Sequence, residues 1–91
     1  MITKKLKTIK KNNNQPELFI TADLSLASSL LTLGYEIQNL DKTNPHKAQF
    51  IFQRSPGLDS DIQNYWNGNL RINPRLFSDN IKMLKNRLYS A

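Results

Sequence analysis

The residues with chemistry to offer in this chain are basic and aromatic. Lys4, Lys5, Lys7, Lys10 and Lys11 stand together in residues 1–16 with no acid among them. Residues 71–91 hold Arg71, Arg75, Lys82, Lys85 and Arg87 against Asp79 alone. Residues 17–70 set Lys42, Lys47 and Arg54 against six acids, so the formal net charge of +6 is concentrated at the two ends. Clustered cations attract phosphate backbones with steeply salt-dependent affinity. The competing reading is that lysine-rich ends keep a small protein soluble.

Enzymatic chemistry has thin support. The one histidine, His46, follows Pro45 in a polar turn, where imidazole is ordinarily solvated. Asp59 and Asp61 are two apart and point different ways on a helix. Ser28-Ser29 has no base beside it in the sequence. Only three glycines are present, and none form a phosphate-cradling loop. There is no cysteine, and no His, Asp or Glu set has metal-ligand spacing, so no cofactor and no metal are expected.

The chain is 91 residues long and 38% hydrophobic, which suits one small domain with a limited core. No run approaches the roughly 20 apolar residues of a membrane span. The lysines at the start precede no apolar segment, so a secretory signal is not expected and the cytoplasm is the default compartment. Residues 1–16 read as a flexible basic arm. Ile2, Leu6 and Ile9 have helical spacing, and the Asn12-Asn13-Asn14-Gln15-Pro16 run breaks regular structure. Residues 17–91 read as a single α+β domain.

The stretch from Leu18 to Gly34 organises that domain. Leu18–Thr21 is a short apolar strand, which suggests a central position. Asp23 caps a helix over Leu24–Leu33, with Thr21 as the rival cap, and Gly34 ends it. Leucines and Ala27 fill one half of this helix. Ser25, Ser28, Ser29 and Thr32 fill the rest and read as a short exposed face; the sharper alternative is close approach of another surface. Residues 35–40 and 48–53 alternate as two strands joined by a turn-rich connection, an antiparallel hairpin. Ser55 with Pro56 is expected to start a second helix, with Leu58, Ile62, Tyr65 and Trp66 on one face and Asn67-Gly68 as its stop. Leu70–Ile72 is extended and a candidate edge strand. Asn73-Pro74 opens a last helix with Phe77, Ile81, Leu84 and Leu88 on one stripe. The order β-α-β-β-α-(β)-α gives a mostly antiparallel sheet of three or four strands covered by helices. If residues 70–72 pair, it is ferredoxin-like with an added C-terminal helix.

Two resemblances follow. The succession LFITADLSLASSLLTLGYEI, QFIF, YWNGNLRINP and LKNRLYS resembles a family of short prokaryotic and phage proteins known as a domain of unknown function, which implies no activity. LFITADL and KAQFIF are distantly similar to the two signature strands of RNA-recognition motifs. That similarity implies base stacking on Phe19, Phe50 and Phe52. The second signature's glycines are absent, and Phe50 and Phe52 read first as core. Trp66 reads as packed under Leu70–Ile72, with an exposed partner anchor as the alternative.

The expectation is therefore a small non-enzymatic binding protein. The first reading is weak, non-sequence-specific nucleic-acid binding through the arm and the last helix, using Lys4, Lys5, Lys7, Lys10, Lys11, Arg71, Arg75, Lys82 and Lys85. The second is a protein-binding module, such as a phage or mobile-element factor that occupies a partner's surface. No membrane is expected as partner, and nothing in the chain fixes an oligomeric state.

Overall fold

The computed structural model describes residues 17–44 and 46–90. The expected arm, residues 1–16, lies outside the described residues. The elements are β1 (Leu18–Thr21), α1 (Leu24–Leu33), β2 (Ile37–Asp41), β3 (Gln49–Gln53), α2 (Leu58–Trp66) and α3 (Pro74–Tyr89). The three strands form an antiparallel sheet in the order β1-β3-β2. The α+β architecture and the element order agree with the sequence. Two details do not. The central strand is β3, and β1 is an edge. Leu70–Ile72 is not a strand, so the described sheet has three strands.

The local chemistry of each helix is visible in its ends. The Asp23 carboxylate accepts the Leu26 amide at 3.0 Å, and the Thr21 hydroxyl accepts the Asp23 amide at 3.1 Å, so both candidate caps act in series. At the other end of α1, Gly34 sits at φ 106°. Its amide donates to Leu31 and that of Tyr35 donates to Leu30, the paired bonds of a Schellman stop. Asn69 and Gly68 close α2 in the same way, onto Asn64 and Tyr65. Asn73 caps α3 through its side chain, with Pro74 in the first turn. The start of α2 differs from expectation. Ser55 does not cap a helix at Pro56; its carbonyl accepts the Leu58 amide at 3.1 Å. Gly57, at φ 91° and ψ −15°, has the angles of the third residue of a type II turn, and the helix begins after it.

The core lies between the sheet and the helices. Leu26, Ala27, Leu30, Phe50, Phe52, Leu58 and Leu84 are fully buried there. Ile37, Leu40 and Phe19 pack against them from the sheet, and Ile62, Tyr65 and Leu88 from the outer helices. A bulge at Gln38 makes this arrangement work. Ile37 pairs with Phe52 and Asn39 pairs with Ile51, leaving Gln38 as the extra residue. Strict alternation would turn Leu40 away from Ile37; one inserted residue returns both to the helix side.

The serine face of α1 is a further correction. Ser28 and Ser29 are 0% and 3% exposed, because α3 packs against this side of the helix. The Asn80 amide donates to the Thr32 hydroxyl at 3.1 Å, and that hydroxyl donates to the Ser28 carbonyl at 2.7 Å. Small side chains let the two helix backbones approach. The helix carries no charge because its middle turns have no solvated side.

Candidate functional site

Side chains on the two faces of the sheet alternate by register. Phe19, Phe50 and Phe52 face the helices. Phe50 and Phe52 are fully buried, and Phe19 is half-buried 6.5 Å from the Phe52 ring. The Arg54 guanidinium covers the outer side of Phe19 at 5.8 Å and pairs with Asp59 and Glu17. Stacking of bases on Phe50 and Phe52 is thereby corrected. Their rings are held inside by Leu26, Leu30 and Leu84, so no ring face is available to a base.

Among the described residues no helix covers the opposite face of the sheet. Leu18 and Ile20 are 44% and 49% exposed. Ile20 is the register partner of half-buried Ile51 on β3, so the three side chains form one aliphatic patch. Amide side chains surround it. Gln53 pairs with Leu18 in the register, Asn39 with Ile51 and Asp41 with Gln49. The Gln38 amide donates to the Gln53 carbonyl oxygen at 2.8 Å. Sequence reasoning missed this surface. The signal was present: Leu18-Phe19-Ile20 and Phe50-Ile51-Phe52 are apolar at every position, so whichever residues the helices cover, apolar ones remain on the other side.

The second surface is α3. Its core stripe falls as expected, with Leu84 fully buried and Phe77, Ile81 and Leu88 half-buried. Arg75, Lys82 and Lys85 are exposed on the side away from that stripe, and Arg71 is exposed ahead of the helix. Among the described residues none of these four is in an ion pair. Asp79 lies near Arg75 and Lys82 on the helix surface. The lysines at 4, 5, 7, 10 and 11 lie outside the described residues.

Trp66 is a third feature. It is 61% exposed rather than packed under residues 70–72, and its ring meets Tyr65 edge-on at 4.9 Å. Tyr65 takes the inward position, as one of two adjacent aromatics must. Burial and the Asp23 carboxylate push the Tyr65 hydroxyl above its ordinary range.

Two polar contacts are structural. Tyr35 donates to Asp61 at 2.6 Å, pinning α2 to the end of α1. Burial, then that bond and the Asp61 charge, push the Tyr35 hydroxyl up to about 12. The Lys42 ammonium donates to the carbonyls of Arg87 and Ser90 at 3.0 and 2.9 Å, closing the end of α3 where its dipole is negative. His46 is exposed. Among the described residues no three His, Asp or Glu side chains are grouped to hold a metal, and no helix is long and apolar enough to cross a membrane.

The described residues form a small α+β domain whose helices cover one face of the sheet. Residues 16–90 match the family described as Domain of unknown function (DUF5659), and the chain belongs to that family. No curated protein and no solved structure matches it.

Proposed function

We propose that this is a small binding protein, not an enzyme, and that it contacts nucleic-acid backbone without sequence preference. The observation that carries the reading is the outer side of α3. Arg75, Lys82 and Lys85 stand there exposed and outside any ion pair among the described residues. A rigid helix holds these charges at fixed spacing while its other side is anchored in the core, which suits contacts that position a backbone. The lysines of residues 1–16 add a second cluster. With no ring face offered by the sheet's phenylalanines, base stacking contributes nothing at that surface, and affinity comes from phosphates.

The test is titration of labelled single- and double-stranded DNA and RNA at two salt concentrations. With five to eight phosphates engaged, affinity falls by about two to four decades over a fourfold rise in salt. Lys82→Glu with Lys85→Glu should flatten that dependence. Absence of binding to all four probes at low salt would overturn the reading. A protein-binding module is the second reading, favoured by one observation of its own: the uncharged aliphatic patch of Leu18, Ile20 and Ile51. Such a complex would survive added salt.

A further inference from the structure

The outer line of α3 does not end with its cations. Arg75, Lys82 and Tyr89 recur at intervals of seven, and Lys85 stands one turn before Tyr89. On an α-helix that spacing places all four on one side, over about 21 Å from Arg75 to Tyr89. Tyr89 is 83% exposed, and among the described residues its ring packs on no other aromatic.

Tyr89 also borders a cleft of about 390 Å³, lined otherwise by Lys42, Asn44, His46, Ala48 and Leu88. That volume lies in the range of small-ligand sites. Leu88 and Ala48 supply apolar lining, His46 and Asn44 supply hydrogen-bonding groups, and no acid is among the described lining residues. The Lys42 ammonium donates to the Arg87 and Ser90 carbonyls, so it fixes the backbone on both sides of Tyr89. An ammonium has three donors, which leaves one for an anion. On the His46 side, the Asn44 side chain accepts the His46 amide at 2.9 Å and holds the turn.

We propose, resting on the backbone-binding reading above, that Tyr89 and this cleft receive an unpaired base, so that the preferred nucleic acid is single-stranded. An exposed ring beside a run of cations is the combination that binds single strands, the ring stacking a base and the cations following the phosphates. Lys85 and Lys82 continue from the cleft along α3 in that order. A base inside a duplex is already paired and stacked, and its face is not available to Tyr89. Stacking accepts every base, because each has a π-face, so sequence preference stays low.

The test titrates the full-length protein with five kinds of probe at one low salt concentration. These are single-stranded DNA and RNA of mixed sequence, duplexes of the same sequences, and a single abasic sugar-phosphate strand. The two base-bearing single strands should bind more tightly than the other probes. Tyr89→Ala should weaken them by about 5- to 150-fold, the effect of one stacked base, and leave duplex and abasic binding unchanged. Tyr89→Phe should retain wild-type affinity, while Tyr89→Leu, which keeps apolar bulk without a ring, should not. Lys82→Glu with Lys85→Glu should weaken every probe, because phosphates are common to all. Tyr89 is exposed, so none of its substitutions disturbs the core. If the probes bind and Tyr89→Ala weakens none of them, or weakens all alike, the base site is overturned while the backbone reading stands. Absence of binding to every probe would overturn both.

Discussion

The two faces of one small sheet are built from the same kinds of residue and meet different fates. Toward the helices, Phe19, Phe50 and Phe52 interlock with Leu26, Leu30 and Leu84. Away from them, Leu18, Ile20 and Ile51 cover no described element of the domain. Bulk decides which set goes in. With only six described elements the core is small, and three phenylalanines fill it with the fewest positions. The strands must be apolar to hold those rings, and β-branched residues between them favour the pleat. An apolar outer face is thus partly a by-product of strand formation.

Substitutions on the covered face should show the largest effects. Phe52→Ala is expected to cost about 3–5 kcal/mol and Leu30→Ala about 2–5 kcal/mol, enough to threaten a domain of this size. Chemical denaturation measures both; a cost under about 1 kcal/mol at both sites would mean that this core is not the one holding the fold.

The next effect lies at the rim of the covered side. Tyr35→Phe removes the bond to Asp61, for an expected loss of about 1–2 kcal/mol. The hydroxyl's proton is held more tightly in the folded chain, up to about 12 against an ordinary 10. Its contribution is therefore complete below pH 10 and disappears as pH rises from 10 towards 12. The Tyr35→Phe protein should lack that alkaline phase in a stability-versus-pH series. Gly57 belongs to the same contact, since a Cβ there would lie 3.2 Å from the Tyr35 oxygen and its φ is positive. Gly57→Ala should strain the turn and loosen the pin together.

Ser28 sharpens the comparison from within α1. Its hydroxyl is buried with no partner among the described groups. Ser28→Ala removes an unsatisfied polar atom and adds helix propensity, so it should stabilise by roughly 0.5–1 kcal/mol. Destabilisation on thermal melting would show that the hydroxyl has a partner, such as a buried water. The smallest effect is expected on the open face. Ile20→Thr should change stability by less than about 0.5 kcal/mol, while any partner that uses the patch should bind more weakly. A loss as large as that of Leu30→Ala would make the open face part of the core.

Much of this was legible in the residues. The caps at Asp23 and Asn73 and the stops at Gly34 and Gly68 follow from chemistry confined to a few neighbouring positions. The α3 stripe follows from a period that the chain itself carries. Three features needed information from distant parts of the chain. Whether Ser28 and Ser29 met water or another helix depended on where α3 returned. The position of β1 at the edge depended on pairing with β3 thirty residues later. The Gln38 bulge is invisible to alternation, since a bulge is the point where alternation fails. Of the candidate site, exposure of Arg75, Lys82 and Lys85 followed from the same stripe that buried Leu84. Phe50 and Phe52 read first as core because they are the bulkiest residues of their strand, and both are buried. Trp66 went outward because Tyr65 took the inward place, a choice that the two side chains settle only against a given neighbour.

The contact between Thr32 and Asn80 spans 48 residues. During synthesis at about 5–20 residues per second, α1 leaves the ribosome some 2–10 s before the helix that covers it. A leucine face left open for that interval would invite association with any apolar surface nearby. The side awaiting α3 is lined instead by hydroxyls, which hydrogen-bond to water until the later helix arrives and then fit beneath it. The serine stripe thus suits both an early wet state and a late dry one, which neither charged nor fully aliphatic residues would do.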